Sequence, residues 1–166
     1  MAAANPAPKP KPGYETVFTV SEYYDGPRGG LANFHGVPHL YECVFDEASD
    51  AYSDSYLLMP VGPDLLTAAM TNWKLFLKWR TAYDAGQTTL ATHPALPEDK
   101  AQYDETRRAL EQAVESARPM ATRVKGEFEV LGEPNLPRDV HTRWQVRWTA
   151  PPGERPQFRM PYGVNS

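Results

Sequence analysis

The feature that most constrains the fold is a two-residue alternation of apolar and polar side chains near the C-terminal end of the chain. One parity from Met120 to Val130 is mostly apolar, and the pattern resumes from Val140 to Trp148 after a proline-rich turn. Successive side chains of a β-strand point to opposite faces, so both segments are predicted to be half-buried strands. They form a C-terminal β-hairpin in which Trp144 and Trp148 face the core.

The register of this hairpin is predicted by centring its turn at residues 134–135. That register places Gly126 opposite Trp144, whose ring would cover the missing side chain of the glycine. It also places Glu127 opposite Arg143, and opposite charges across a strand pair favour it by roughly a few tenths of a kcal/mol. A slip by one residue would bury the charged face, so the alternation opposes such a slip.

Shorter alternating runs, bounded by glycine, proline and aspartate, predict four further strands in the N-terminal half. These runs cover residues 14–21, 31–35, 39–46 and 55–60. The last run is apolar on both parities and is therefore predicted to be central in the sheet. The residues between the last two runs, 46–54, are predicted to be a polar loop.

Two helices are predicted between these strands and the hairpin. The first begins at Pro63, where a missing N–H would be unpaired anyway, and ends near Gly86. Its apolar surface is wide, so it is predicted to pack on the apolar face of the sheet. The second runs from Pro97 to about Ala117 and carries only a thin apolar stripe. The predicted fold class is α+β, with a single curved antiparallel sheet of five to six strands and two helices inserted before the C-terminal β-hairpin.

The length of 166 residues suits one domain with short extensions. Residues 1–13 combine alternating prolines with alanine and lysine, which predicts a disordered leader. Residues 14–150 are predicted to form the single α+β domain. Residues 151–166, rich in proline and glycine, are predicted to be an irregular C-terminal strap or tail.

Composition narrows the classes of partner. The formal net charge of −4 disfavours nucleic acid and anionic membranes, because both attract a basic excess. No apolar run is long enough for a membrane helix, and no secretory signal is recognisable. The single cysteine, Cys43, lies in a mostly apolar strand with no lysine or arginine next to it, which predicts a buried, unreactive thiol. We expect a soluble cytoplasmic protein without a cofactor.

Turn residues, aromatic rings and two histidines are concentrated between Tyr23 and Glu42. Loops held by a rigid scaffold often carry function, and tyrosine is enriched at interface hot spots. We therefore predict a non-enzymatic protein–protein interaction module, such as an immunity-type inhibitor, an adaptor or an assembly subunit. The expected partner is another protein, and association with a second copy of the chain is left open. The predicted partner-binding residues are Tyr23, Tyr24, Asp25 and Arg28.

The alternative interpretation of the same segment is a small hydrolase. In that case Asp25, Arg28, His35 and His39 form an acid–base group in which the aspartate orients a histidine and the arginine holds an anion. This function requires the four side chains to converge within about 3–6 Å around an open pocket. The two histidines flank a turn at a spacing that suits zinc poorly, so no metal site is predicted. The glycine-rich run 26–30 lacks the strand–loop–helix context of a phosphate-binding loop.

Overall fold

The computed structural model describes residues 9–23, 26–132 and 141–150, and of Tyr23 it describes only the backbone. Within these ranges six antiparallel strands, neighbours in chain order, close into a barrel. The strands are β1 (Glu15–Tyr23), β2 (Pro27–Phe34), β3 (Val37–Asp46), β4 (Ala51–Pro60), β5 (Thr122–Val130) and β6 (Trp144–Thr149). Two helices, α1 (Pro63–Asp84) and α2 (Lys100–Ala117), are inserted between β4 and β5. The predicted α+β class with one antiparallel sheet is confirmed, and the curvature of the sheet continues to full closure.

A tight turn joins β2 to β3. Its two central residues, His35 and Gly36, have φ values of 52° and 75°, and Phe34 pairs directly with Val37. Two residues with positive φ form the hairpin turn whose twist matches that of the flanking strands. The carboxylate of Glu15 on β1 accepts hydrogen bonds from the backbone N–H groups of His35 at 3.0 Å and Gly36 at 2.7 Å. The turn is therefore fixed both by its own geometry and by a neighbouring strand.

Three strands are longer than the sequence predicted. β2 begins at Pro27, which pairs with Tyr23 of β1, and β3 begins at Val37, which pairs with Phe34 of β2. The predicted polar loop 46–54 is wrong over much of its length, since β4 begins at Ala51. Phe45 pairs with Tyr52 there, and this ladder extends a polar segment that has little intrinsic preference for a strand.

Aromatic rings fill the inside of the barrel. Tyr41, Tyr56, Phe128 and Trp148 contact one another in all six combinations, with ring centroids 5.3–6.1 Å apart. Small and aliphatic side chains complete this inner core, namely Ala32, Cys43, Leu58, Val124 and Val146. Edge-to-face and tilted ring pairs add about 0.5–1.5 kcal/mol each beyond the area they bury.

A second core lies between the outer surface of the barrel and the two helices. Its buried members are Leu31, Leu40, Met59 and Ala69, and Leu110 and Val114 of α2 pack against them. Leu58 belongs to the inner core whereas its neighbour Met59 belongs to the outer one, so β4 is buried on both faces as predicted. The first helix therefore does pack on an apolar face of the sheet, and that face is the outside of a barrel.

The predicted register of the C-terminal strand pair is wrong by four positions along β6. Gly126 pairs with Trp148, not Trp144, and Glu127 pairs with Arg147, not Arg143. An even shift leaves each side chain on its own face, so the alternation could not distinguish the two registers. The inward direction of both tryptophans is confirmed, since Trp144 is only 5% exposed and Trp148 packs against the inner core.

Two other expectations for these strands need correction. Met120 is 85% exposed because it ends a short 3₁₀ turn, Arg118–Met120, that precedes β5. Gln145 lies on the polar parity of the second alternating run, which favours solvent, but it is buried, because the chain before β1 crosses over it. There the backbone N–H of Lys11 donates to Gln145 Oε1 at 2.9 Å, and Lys11 Nζ lies 2.8 Å from a carboxylate oxygen of Glu129. The predictions for residues 1–8 and 151–166 fall outside the described residues.

Candidate functional site

The sequence-predicted site residues do not come together in one place. Tyr24 and Asp25 lie outside the described residues, and Tyr23 is the last residue of β1. Arg28 lies near the start of β2 and His35 follows its end. Seven residue steps along a strand span about 23 Å. Arg28 and the two histidines, the described members of the proposed hydrolase group, are therefore at opposite ends of the barrel.

The two histidines occupy structural positions around one phenylalanine. The ring centroid of Phe34 lies 4.1 Å from that of His35 and 5.3 Å from that of His39. His39 Nδ1 is 2.8 Å from the carbonyl oxygen of Val37, to which the protonated nitrogen donates. Burial lowers the pKa of His39, although the bond to Val37 acts in the opposite direction. The bond to Val37 and the edge-on contact with Phe34 make His39 part of the support of the turn.

Arg28 lies at the other end of the barrel beside two exposed aromatic rings. Its guanidinium carbon is 4.8 Å from the ring centroid of Tyr52, within the range of a cation–π interaction. Tyr52 in turn contacts Phe45 edge-on, with centroids 5.2 Å apart. Phe45 is 45% exposed and Tyr52 is 39% exposed. We call these three residues the rim surface.

The same arginine corrects one premise of the sequence analysis. Arg28 Nη1 lies 3.6 Å from Cys43 Sγ, so a cation is in fact beside the thiol. Arg28 and Cys43 come close because β2 pairs with β3, and this proximity is not visible in the linear sequence. The thiol is nevertheless buried, as predicted, and donates to the carbonyl oxygen of Ser53 at 3.1 Å. Cys43 therefore anchors Arg28 from below.

A tyrosine of the inner core completes the support beneath the rim surface. The hydroxyl of Tyr56 donates to the carbonyl oxygen of Pro27 at 2.9 Å, next to Arg28. Burial raises the pKa of Tyr56 above its ordinary value, and the nearby Cys43 raises it further. A small cavity of about 230 Å³ opens at this end of the barrel, with Arg28 and Asp54 among its lining residues.

Carboxylates surround the rim surface. Asp46, Glu47 and Asp50 are exposed in and beside the turn that joins β3 to β4. Asp54 is also exposed and lies 3.1 Å from Lys125. Phe45 escaped the sequence analysis because it continues the inward parity of Tyr41 and Cys43, and only its position at the end of β3 leaves it uncovered. The aspartates and glutamate that follow it were the available signal.

A larger concave feature lies on the side of the barrel, between α2 and the outer surface of β1–β3. This helix groove has a volume of about 780 Å³. Its apolar floor includes Leu40, Trp73, Phe76, Leu110 and Val114. The thin apolar stripe of α2 could not locate the groove, because the strands and the helix that form its walls are far apart in the chain.

No helix in the described ranges combines the length and the apolar character needed to cross a membrane. Among the same residues, no group of three or more His, Cys, Asp or Glu side chains is arranged to hold a metal ion. No family model matches the sequence, and comparisons with curated proteins and with solved structures give no significant match. The rim surface and the helix groove are the two surface features of the described residues that could bind a partner.

Proposed function

We propose that this chain is a non-enzymatic interaction module that binds another protein through its rim surface. The observation that carries the proposal is the arginine stacked on an exposed aromatic pair, formed by Arg28, Tyr52 and Phe45. Tyrosine and arginine are the residue types most often found at interface hot spots. Exposed rings that contact each other and a cation offer a partner a large surface with few rotatable bonds.

Contacts within the protein already orient the rim surface. Arg28 contacts both the Tyr52 ring and Cys43 Sγ, while the Tyr56 hydroxyl donates to the backbone at Pro27. Ordering a flexible side chain at an interface costs about 0.5–1.5 kcal/mol, and a side chain already held in one conformation avoids that cost. This rigidity supports a binding role for the surface.

One predicted binding residue, Arg28, belongs to the rim surface. Tyr23 at the end of β1 pairs with Pro27 at the start of β2, next to Arg28. We propose that Tyr23, Tyr24 and Asp25 bind the partner together with Arg28. The exposed acids of the β3–β4 turn favour a partner with cationic groups, because complementary charges accelerate association and exclude wrong partners.

The proposed setting is the cytoplasm. The only cysteine of the sequence is a free, buried thiol, which suits a reducing compartment. The net charge of −4 supports a protein partner over nucleic acid or an anionic membrane.

A capture experiment with matched variants tests the proposal. The rim variant is Arg28→Ala/Tyr52→Ala. Its control is Arg80→Ala/Tyr83→Ala, because Arg80 lies 5.6 Å from the ring centroid of Tyr83 in a second arginine–tyrosine pair, on α1. A host protein retained by the wild type and the control should bind the rim variant at least about tenfold more weakly, the loss typical of two hot-spot residues. Equal affinity of all three forms for every captured protein, or no capture by the wild type, would refute it.

A further inference from the structure

The helix groove is formed by one complete face of α2. The α2 side chains that line it recur every three or four residues along the helix, from Lys100 through Tyr103, Arg107, Leu110 and Val114 to Arg118 just past its end. Residues with this spacing share one face of a helix. Eighteen steps of about 1.5 Å give the groove a length of about 27 Å. It is therefore an elongated channel and not a compact pocket.

Both walls of the groove are fixed. The buried amide of Asn72 on α1 donates to the carbonyl oxygen of Tyr103 at 3.3 Å and to Thr106 Oγ1 at 3.1 Å, which ties α1 to α2. At the far end Arg118 donates to both carboxylate oxygens of Glu42, at 3.0 and 3.1 Å, which ties α2 to β3. A channel whose walls are already bonded to each other requires little reorganisation to accept an occupant.

The charges that line the groove are unequal. Five carboxylates face three cationic groups, which leaves a net charge of −2 when His93 is neutral. The carboxylates are Glu22, Glu42, Asp104, Glu111 and Glu115, and the cations are Lys100, Arg107 and Arg118. Each cation already has a carboxylate partner at 3.0 Å, in Asp104, Glu111 and Glu42 respectively. Among the described residues, Glu22 and Glu115 form no ion pair.

We propose that the helix groove binds a short basic segment of a partner protein, with apolar side chains on the floor and lysine or arginine beside Glu22 and Glu115. The apolar floor and the net negative edges require an occupant that is apolar on one side and cationic on the other. The length of about 27 Å matches about eight residues of extended peptide. A small organic cation would occupy only part of such a channel.

This inference is independent of the rim surface. The groove lies on the side of the barrel against α2, whereas Arg28, Phe45 and Tyr52 are grouped at one end, and none of these three lines the groove. One partner could contact both surfaces, but neither proposal requires the other.

The test uses a display library of random eight-residue peptides, selected on the immobilised full-length protein. The strongest peptide is then synthesised and its dissociation constant is measured by fluorescence anisotropy. The groove variant is Glu22→Gln/Glu115→Gln, and its control is Glu98→Gln/Glu105→Gln, two exposed acids that line neither the groove nor the rim surface. Both double variants remove the same charge from the surface, and all four side chains are exposed.

We expect the selected peptides to be rich in lysine or arginine alternating with apolar residues. The groove variant should bind the peptide about fivefold more weakly, while the control and the rim variant Arg28→Ala/Tyr52→Ala bind it as the wild type does. Selected peptides without a basic excess would overturn the proposal, as would equal affinity for the groove variant. Displacement of the peptide by spermine at a similar concentration would overturn the peptide as the occupant, because a small cation would then be sufficient to fill the groove. Loss of binding in the rim variant alone would overturn the groove and leave the proposed function standing.

Discussion

Replacing Gly126 by alanine should destabilise the protein because the new methyl group has no room. A Cβ atom at this position would lie 2.6 Å from Cζ3 of Trp148 and 2.8 Å from Cδ2 of Tyr56. Neither ring can retreat easily, because Trp148 Nε1 donates to the carbonyl oxygen of Asn33 at 2.9 Å and Tyr56 is bonded to Pro27. Overpacking of a core typically costs about 1–3 kcal/mol. The alanine also restricts the unfolded chain, which offsets about 0.4–1 kcal/mol, so the net loss should be about 1–2 kcal/mol.

Two consecutive glycines of β2, Gly29 and Gly30, provide a lower and an upper reference for the expected loss of stability. At Gly29 an added Cβ would meet its nearest atoms at 3.6 Å, an ordinary contact, so Gly29→Ala should change stability by less than about 0.5 kcal/mol. At Gly30 the backbone has a φ of 153° and the Cβ would lie 2.2 Å from the carbonyl oxygen of Thr19. Gly30→Ala should therefore cost more than about 3 kcal/mol or prevent folding.

The assay is urea denaturation of the three variants, followed by far-UV circular dichroism and tryptophan fluorescence. The expected order of stability is Gly29→Ala, then Gly126→Ala, then Gly30→Ala. If Gly126→Ala proved as stable as Gly29→Ala, the rings of Trp148 and Tyr56 could not be packed over Gly126, and the register of β5 with β6 would have to be rejected.

Three further outcomes follow from burial and charge. Trp144→Ala should cost about 3–5 kcal/mol in the same denaturation assay, since Trp144 is buried, and a loss below about 1 kcal/mol would place it outside the core. Arg118→Ala should cost less than about 1 kcal/mol, because its pair with Glu42 is largely exposed; a larger loss would contradict the weak contribution expected of an exposed ion pair. Burial raises the pKa of Tyr41, so the folded state favours the neutral hydroxyl. The stability that this contributes is present below the ordinary tyrosine pKa of about 10, and it is lost as the pH rises above that value. Between about pH 9 and pH 11 the unfolding free energy of Tyr41→Phe should therefore fall less than that of the wild type, and equal slopes would contradict the burial.

The alternation of side chains was sufficient to predict that strands form in these regions and that both tryptophans near the C-terminal end point inward. Val146 and Trp144 share one parity, and both are buried in the structure. Pro63 marked the start of α1 correctly because its ring suits only the first helical positions. These are local signals, and they led to the correct fold class.

The closure of the barrel and the register of β5 with β6 depend on contacts between distant residues, which the local sequence pattern does not reveal. Whether Gly126 faces Trp144 or Trp148 is decided by which ring fills the barrel, not by the parity of either residue. The same limitation applies to the site. Arg28 meets Cys43 and Tyr52 only after β2, β3 and β4 have paired, so a sequence analysis grouped it with residues that are merely close in the chain, such as His35.

The pairing of the first strand with the last sets the order in which this molecule can assemble. β1 meets β6 only at Glu15 with Val146 and Thr16 with Gln145, and the nearby bond from Lys11 to Gln145 joins residues 134 positions apart. At about 5–20 residues per second, a ribosome needs roughly 7–26 s to deliver the last strand after the first. Within the meander from β1 to β4 each strand pairs with the next in sequence, so these three pairings can form in that interval, since short loops close first. Until β6 arrives, the edge of β1 at Glu15 and Thr16 lacks the strand that pairs with it in the barrel, and unpaired strand edges are sites of aggregation.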